Sequence, residues 1–256
     1  MAKGVLVDIT KCIGCRSCQI ACKAWHNHEA GYEGLNGTYT MPNQLSADTY
    51  TRISFVEGER NNQPTWSFVK NQCLHCQEPA CASACPVGAL QKTKEGPVIY
   101  DQWKCIGCRY CMIACPFHIP KYEWDTLNPW VQKCNFCADR VDAGMEPACI
   151  KACPMNVMYF DDYEKVVQEA KNRIANHPGK YINHIYGLNE AGGTSWIYIS
   201  DRPFQELGFD TQVVKASYPS FTWASLSKIP WKAVGFAAAL SAIAVFRNRG
   251  SRKEDV

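Results

Sequence analysis

The side chains able to do chemistry in this sequence are its cysteines, and one stretch shows which chemistry. Residues 105–116 read C-I-G-C-R-Y-C-M-I-A-C-P: Cys105, Cys108 and Cys111 stand three apart, Cys115 follows, and Pro116 comes directly behind it. A loop of this spacing wraps three thiolates around one iron–sulfur cube and sends the fourth to a second cube. Gly107 lets backbone approach where a side chain would block it, and Pro116 restricts how the chain leaves. Three further groups supply the partners that the fourth ligands need. Cys12, Cys15, Cys18 and Cys22 repeat the spacing without the proline. Cys73, Cys76, Cys81 and Cys85 add two residues before the third ligand and end in Pro86; Cys134, Cys137, Cys149 and Cys153 carry a longer insertion and end in Pro154. Together the groups use all 16 cysteines, so four [4Fe-4S] clusters are expected.

Other uses of cysteine fit less well. An even count in an exported chain suits disulfides, but those staple small coreless domains with scattered cysteines, and these are clustered. Structural zinc takes two separated pairs and has no use for three cysteines at three-residue steps. No acid, base or nucleophile constellation stands out, so the expected chemistry is outer-sphere electron transfer. His75 and His118 lie beside ligands, and histidine replaces cysteine at some clusters. The ligand count is already complete, so hydrogen bonding or packing is their expected role. Lys133, Asp139 and Arg140 flank the fourth group and either tune a cluster, anchor its loop or form an ordinary salt bridge.

The elements around these loops follow from composition and periodicity. At 256 residues the chain can hold one large or two small domains. Its formal charge of +3 counts thiols as neutral; each four-thiolate oxidised cube adds roughly −2, so the loaded protein is mildly acidic. No nucleic-acid module is recognisable. Residues 1–9 read as an apolar strand entering the first cysteine loop, with no h-region, twin arginine or cleavage site. A polar insertion at 26–48 reads as a surface loop. Tyr50–Glu57 and Thr65–Lys70 alternate around G-E-R-N-N as a hairpin, and 87–101 form a second hairpin turning at Lys94-Glu95-Gly96. Tyr122, Trp124 and Trp130 are assigned to core packing. Val157–Phe160 reads as a strand. Asp162–Asn176 reads as a helix capped by Asp161 or Asp162, with Val166, Val167, Ala170 and Ile174 on one face. Ser195–Ser200 reads as a strand after Gly192-Gly193-Thr194, within a cover segment at 161–222 that has no chemistry of its own.

Ile229–Phe246 is almost wholly apolar, with Lys232 its one charge. A helix of this length just crosses a hydrocarbon core if Lys232 snorkels. Trp223 and Trp231 fall where an interfacial belt would lie, and Gly235 with Ala239 would let a partner helix approach. A short buried helix is the alternative. Arg247, Arg249, Arg252 and Lys253 follow, in the basic tail 247–256, so the positive-inside bias puts the C-terminus in the cytoplasm. The cluster domain would then face the other side, and without an export signal it would travel folded with a partner that carries one.

The run C-L-H-C-Q-E-P-A-C-A-S-A-C-P, together with K-C-N-F-C-A-D-R and E-P-A-C-I-K-A-C-P, resembles the four-cluster electron-transfer subunits of molybdopterin oxidoreductases. The likeness is strong over residues 4–160. The G-G-T strand and single C-terminal helix resemble the beta subunit of respiratory formate dehydrogenase. C-P-F-H-I-P-K-Y-E-W-D also resembles the iron–sulfur subunit of hydrogenase-2-type complexes, which usually carry a twin-arginine signal. The resemblance implies an α+β fold of two ferredoxin-like dicluster units, the outer from 1–70 and 117–160 and the inner from 71–116. It implies one cube on Cys12, Cys15, Cys18 and Cys153, and one on Cys134, Cys137, Cys149 and Cys22. It further implies one on Cys73, Cys76, Cys81 and Cys115, and one on Cys105, Cys108, Cys111 and Cys85. The implied partners are a molybdopterin catalytic subunit and an integral membrane quinone-reactive subunit, either a cytochrome b or a polytopic protein. The implied place is a bacterial cytoplasmic membrane, with the cluster domain on the periplasmic side. The competing expectations are a membrane-bound nickel–iron hydrogenase subunit and a free ferredoxin-like carrier.

Overall fold

The computed structural model describes residues 2–30, 37–60, 62–124, 126–127 and 129–251. In chain order the elements begin with β1 (Lys3–Asp8), α1 (Ser17–His26), β2 (Thr51–Arg60), β3 (Gln63–Gln72), α2 (Ala80–Ser83), β4 (Leu90–Lys92), β5 (Val98–Tyr100) and α3 (Tyr110–Ala114). They continue with β6 (Lys121–Tyr122), β7 (Val131–Gln132), α4 (Ala138–Asp142), α5 (Ala148–Lys151), β8 (Met158–Asp162), α6 (Tyr163–Asn176), β9 (Trp196–Ile199), α7 (Tyr218–Leu226) and α8 (Ile229–Ser251). Residues up to Tyr218 form one body, and the remainder a second unit.

The strand K-G-V-L-V-D buries every residue from Gly4 to Asp8. A strand covered on both faces belongs in the middle of a sheet. Accordingly β1 lies between β8, antiparallel, and β9, parallel, in the order β8-β1-β9. On one face Leu6, Ile197 and Ile199 pack against Val166 and Ala170 of α6, with Val167 and Ile174 at the margin. The opposite face carries Val5, Val7, Trp196 and Tyr198, which join Ile53, Val69 and Phe136 in the main core. The expected cap of α6 is absent. Asp162 occupies the N-cap position without a side-chain cap bond and pairs with Lys3 Nζ at 2.7 Å instead.

The segment expected as a cover is woven into the structure. It supplies β9, and the amides of Ser195 and Trp196 donate to the carbonyls of His75 and Leu74. The first hairpin is longer than its alternation indicated: β2 and β3 pair continuously from Thr51 with Gln72 to Arg60 with Gln63. Gly58 and Glu59 therefore continue the strand. In the second hairpin Leu90 pairs with Tyr100, and Gly96 sits at φ +113 with its Cα face against Lys3, where a Cβ would meet Lys3 O at 2.8 Å. Part of the 26–48 insertion, residues 31–36, lies outside the described residues. Its described part packs down: Gln19 Nε2 donates to Met41 O at 3.0 Å, and Thr40 Oγ1 accepts from the Phe55 amide at 2.8 Å.

The second unit differs from the expectation in length. A helical stretch long and apolar enough to cross a membrane runs over 30 residues, Tyr218–Arg247, with none of it buried within the chain. At 1.5 Å per residue it measures about 45 Å, more than the roughly 30 Å hydrocarbon core. Arg252 and Lys253 of the basic tail lie outside the described residues.

Candidate iron–sulfur centre

Two of the four loops are near-copies in sequence and in backbone. In D-I-T-K-C-I-G-C-R and D-Q-W-K-C-I-G-C-R an aspartate opens a short 3-10 turn, Asp8 accepting from the Thr10 amide and Asp101 from the Trp103 amide. Gly14 and Gly107 both take φ +70, and Arg16 and Arg109 take φ +61 and +62 to start α1 and α3. Left-handed residues among right-handed ones turn successive amides inward, a concavity that suits anionic cluster sulfur. In the second and fourth groups the same role falls to His75 at φ +50, and to Phe136 at +64 with Cys137 at +47.

The fold brings cysteines from different loops together. One cavity is lined by Cys12, Cys15, Cys18 and Cys153. A second is lined by Cys73, Cys76, Cys81 and Cys115, and a third by Cys85, Cys105, Cys108 and Cys111. Of the remaining four, Cys22 feels Cys149 and Cys137, while Cys134 feels Cys22, Cys137 and Cys149. Neighbouring groups also sense each other: Cys18 with Cys149, Cys134 with Cys73, and Cys111 with Cys81. That sets the four groups in a row.

Three of the fourth-position cysteines share a turn. After Cys85-Pro86, Cys115-Pro116 and Cys153-Pro154, a left-handed residue (Gly88, His118, Asn156) precedes an amide aimed back at the sulfur. Ala89 N donates to Cys85 Sγ at 3.2 Å and Val157 N to Cys153 Sγ at 3.5 Å. Cys22, which lacks the proline, lies inside α1.

Electrostatics keep most of the unloaded thiols protonated. Burial, reinforced by neighbouring thiolates, pushes Cys22 up to about 12 and Cys18 up to about 11. Burial likewise pushes Cys81 up to about 12, with Cys73 and Cys115 adding to it. Such thiols ionise only when cationic iron holds the thiolates. Cys85 is the exception: burial raises it, but the amides of Leu90, Val87, Ala89 and Gly88 outweigh this and leave it below the ordinary thiol value. Buried cations accompany the row. Lys70 lines the first cavity, donates to Thr51 Oγ1 at 2.5 Å and stands 5.1 Å from the Trp196 ring centre. Burial alone would lower its pKa, yet Cys149, Cys18, Cys134 and Cys22 hold it above the usual lysine value. Nothing in the sequence singles out Lys70, because its neighbours across the core come from distant segments. Lys92 was equally silent; its Nζ donates to His75 O and Ser195 Oγ, both at 3.1 Å.

The other residues singled out by sequence divide. His75 is fully buried and lines the second cavity, whereas His118 is exposed. Lys133 is buried and donates to Val98 O and Cys134 O. Asp139 accepts from Trp25 Nε1 at 3.1 Å, and Arg140 stacks over Trp25 while donating to Glu146 O at 2.7 Å; both anchor the loop. Tyr122 is core, but Trp124 is 62 % exposed and lies under Arg109.

The donor set fits iron–sulfur cubes. All 16 cysteines are free thiols, and soft thiolates suit such clusters. A single zinc ion needs thiolates about 3.8 Å apart, given its 2.3 Å bonds; among the described residues no three His, Cys, Asp or Glu side chains converge for one ion. Comparisons agree. Residues 64–163 and 11–89 each match a family described as a 4Fe-4S dicluster domain. The formate dehydrogenase-O iron-sulfur subunit of Escherichia coli strain K12 is 36% identical over 264 residues, covering 98% of this chain and 86% of that one. The hydrogenase-2 operon protein HybA of Escherichia coli O157:H7 is 34% identical over 235 residues, 80% of this chain and 71% of that one. A protein of Nitratidesulfovibrio vulgaris is 39% identical over 231 residues, 89% of this chain, which spans only 62% of that relative. On this likeness and the four clustered cysteine groups, the chain belongs to the 4Fe-4S dicluster iron–sulfur electron-transfer subunits of the formate dehydrogenase and hydrogenase type.

Proposed function

We propose that the chain carries four [4Fe-4S] clusters, and conducts electrons from a molybdopterin catalytic subunit of the formate dehydrogenase type to a quinone-reducing membrane subunit. Three cubes would be held by Cys12, Cys15, Cys18 and Cys153, by Cys73, Cys76, Cys81 and Cys115, and by Cys105, Cys108, Cys111 and Cys85. The fourth would be held by Cys134, Cys137, Cys149 and Cys22. Each cluster, when bound, takes up and releases one electron. The observation that carries this reading is the row of cysteine-lined cavities, each drawing its fourth sulfur from another loop. The chain's own part is to hold the sulfurs, keep water from the cubes and set buried lysines beside them. Around the loop at one end of the row, Trp103, Ile106, Tyr110 and Ile113 are exposed at 84%, 65%, 59% and 81%. An apolar surface of that kind suits docking onto a partner subunit. The Tyr218–Arg247 stretch would anchor the chain in a cytoplasmic membrane, the cluster domain periplasmic and the C-terminus inside.

The holoprotein, purified anaerobically, should contain about 16 iron atoms with matching sulfide and, when reduced, should show cubane-type paramagnetic signals. Zinc without sulfide would overturn the reading. Cys105→Ala in the complex should abolish quinone reduction while dye-linked oxidation at the catalytic subunit survives. HybA's likeness favours one competing reading, a hydrogenase partner, and the large subunit that co-purifies separates the two: pterin for one, nickel and iron for the other.

A further inference from the structure

Cys73-Leu74-His75-Cys76 holds a buried donor that the protein leaves unmatched. The His75 side chain is fully buried, and its Nδ1 accepts a 2.8 Å hydrogen bond from the Val98 amide. An Nδ1 that accepts carries no proton, so the ring proton sits on Nε2. That Nε2 is buried and has no hydrogen-bond partner in the protein. Buried N–H groups without an acceptor are rare because their desolvation goes uncompensated. The residue lines the cavity of Cys73, Cys76, Cys81 and Cys115, where the acceptors would be thiolate and cluster sulfur. Its backbone is held on both sides: His75 O accepts from Ser195 N at 3.0 Å and from Lys92 Nζ at 3.1 Å. The ring is braced by Phe136, with centroids 5.0 Å apart.

Phe136 supplies an internal control. It holds the corresponding place in Cys134-Asn135-Phe136-Cys137, with the same left-handed backbone, φ +64 against +50, and it has no donor. We propose that His75 Nε2–H donates a hydrogen bond to sulfur of the cluster at Cys73, Cys76, Cys81 and Cys115, and so raises that cluster's reduction potential above what its thiolates alone would set. A donor to sulfur stabilises the reduced, more negative form. The inference rests on the ligation proposed above.

The test uses the complete, anaerobically purified protein in its complex, with His75→Phe, which copies the twin loop, and His75→Gln, which keeps an N–H. In potentiometric titrations followed by paramagnetic resonance, one of the four midpoints should fall in His75→Phe by at least tenfold in its reduction constant, about 59 mV for one electron. The other three should stay in place, and His75→Gln should recover part of the shift. In the wild type, 15N-histidine labelling should produce a nitrogen coupling to a reduced cluster that vanishes in His75→Phe. A separate coupling from His26, whose Nε2 lies 3.9 Å from Cys137 Sγ, should persist. Four unmoved midpoints with full iron would overturn the proposal. So would the absence of a His75 coupling in the wild type, even if His75→Phe failed to assemble. Missing cubane signals in the wild type would instead sink the ligation reading itself.

Discussion

The two C-I-G-C-R loops agree in backbone to within a degree at their left-handed residues, and differ in almost everything around them. Asp8 is fully buried and also accepts from Tyr181 Oη at 2.9 Å and Arg173 Nη1 at 3.4 Å. Asp101, half exposed, accepts from the Trp103 amide in its own turn and pairs with nearby Lys104 at 3.0 Å. Gly14 lies under Phe68 and Phe55, and Gly107 beside the Tyr122 hydroxyl. The first loop feeds a ten-residue helix, and the second is cut short before Pro116. Local sequence therefore sets the shape of a cluster loop, while long-range contacts set how firmly it is held and what surface it shows. The first loop follows directly from the central strand β1; the second presents Trp103 and Tyr110 outward, while Ile13 and Ile106 are exposed in both.

The largest expected effect comes from removing iron. Anaerobic chelation should strip amide hydrogen-exchange protection from 101–115 almost completely, because few other contacts hold that loop. Amides of β1, β8 and β9 should keep part of theirs. Equal loss in both regions would break the contrast.

Next in size, Asp8→Ala should destabilise the protein by about 2 kcal/mol, since it leaves the Tyr181 hydroxyl without its buried acceptor, while Arg173 keeps Glu169 at 2.6 Å. Asp101→Ala should have a much smaller effect on the thermal midpoint. Similar midpoints for the two variants would show that the cover segment contributes little to the first loop.

A smaller pair sharpens the same difference. Alanine at φ +70 costs roughly 1 kcal/mol in either loop. Gly14→Ala should lose about 1 kcal/mol more, because its Cβ would stand 2.8 Å from Phe68, against 3.1 Å from Tyr122 Oη at Gly107. Denaturant midpoints of the two holoproteins measure it. Smallest should be Arg16→Ala and Arg109→Ala, at about 0.5–1 kcal/mol each. Their guanidinium carbons stand 4.7 Å and 4.5 Å from the ring centres of Phe55 and Tyr122.

The elements that periodicity identified well were those whose signal is local. The 87–101 hairpin turns where Lys94-Glu95-Gly96 indicated, and α6 buries Val166 and Ala170 as its spacing required. The failures have a common cause in contacts made across the chain. The Asp162 cap was lost because Lys3, brought alongside by strand pairing, competes for the carboxylate. Trp124 reads as core by residue type but lies exposed under Arg109. The cover segment proved to be part of the central sheet because a parallel strand pair can join residues far apart in sequence.

By itself the sequence determined the kind of ligand and the four groupings. Thiolate chemistry depends only on residue type and spacing, whereas the left-handed backbone at Arg16, His75, Arg109 and Phe136 runs against local sterics. Only the tertiary structure decided which loop lends its last sulfur to which cavity, where Lys70 and Lys92 come to rest, and that the His75 imidazole is buried with one nitrogen unmatched. Those outcomes depend on packing between segments a hundred or more residues apart, as between Tyr198 and Gln72, 126 residues away in sequence, and no local pattern encodes them.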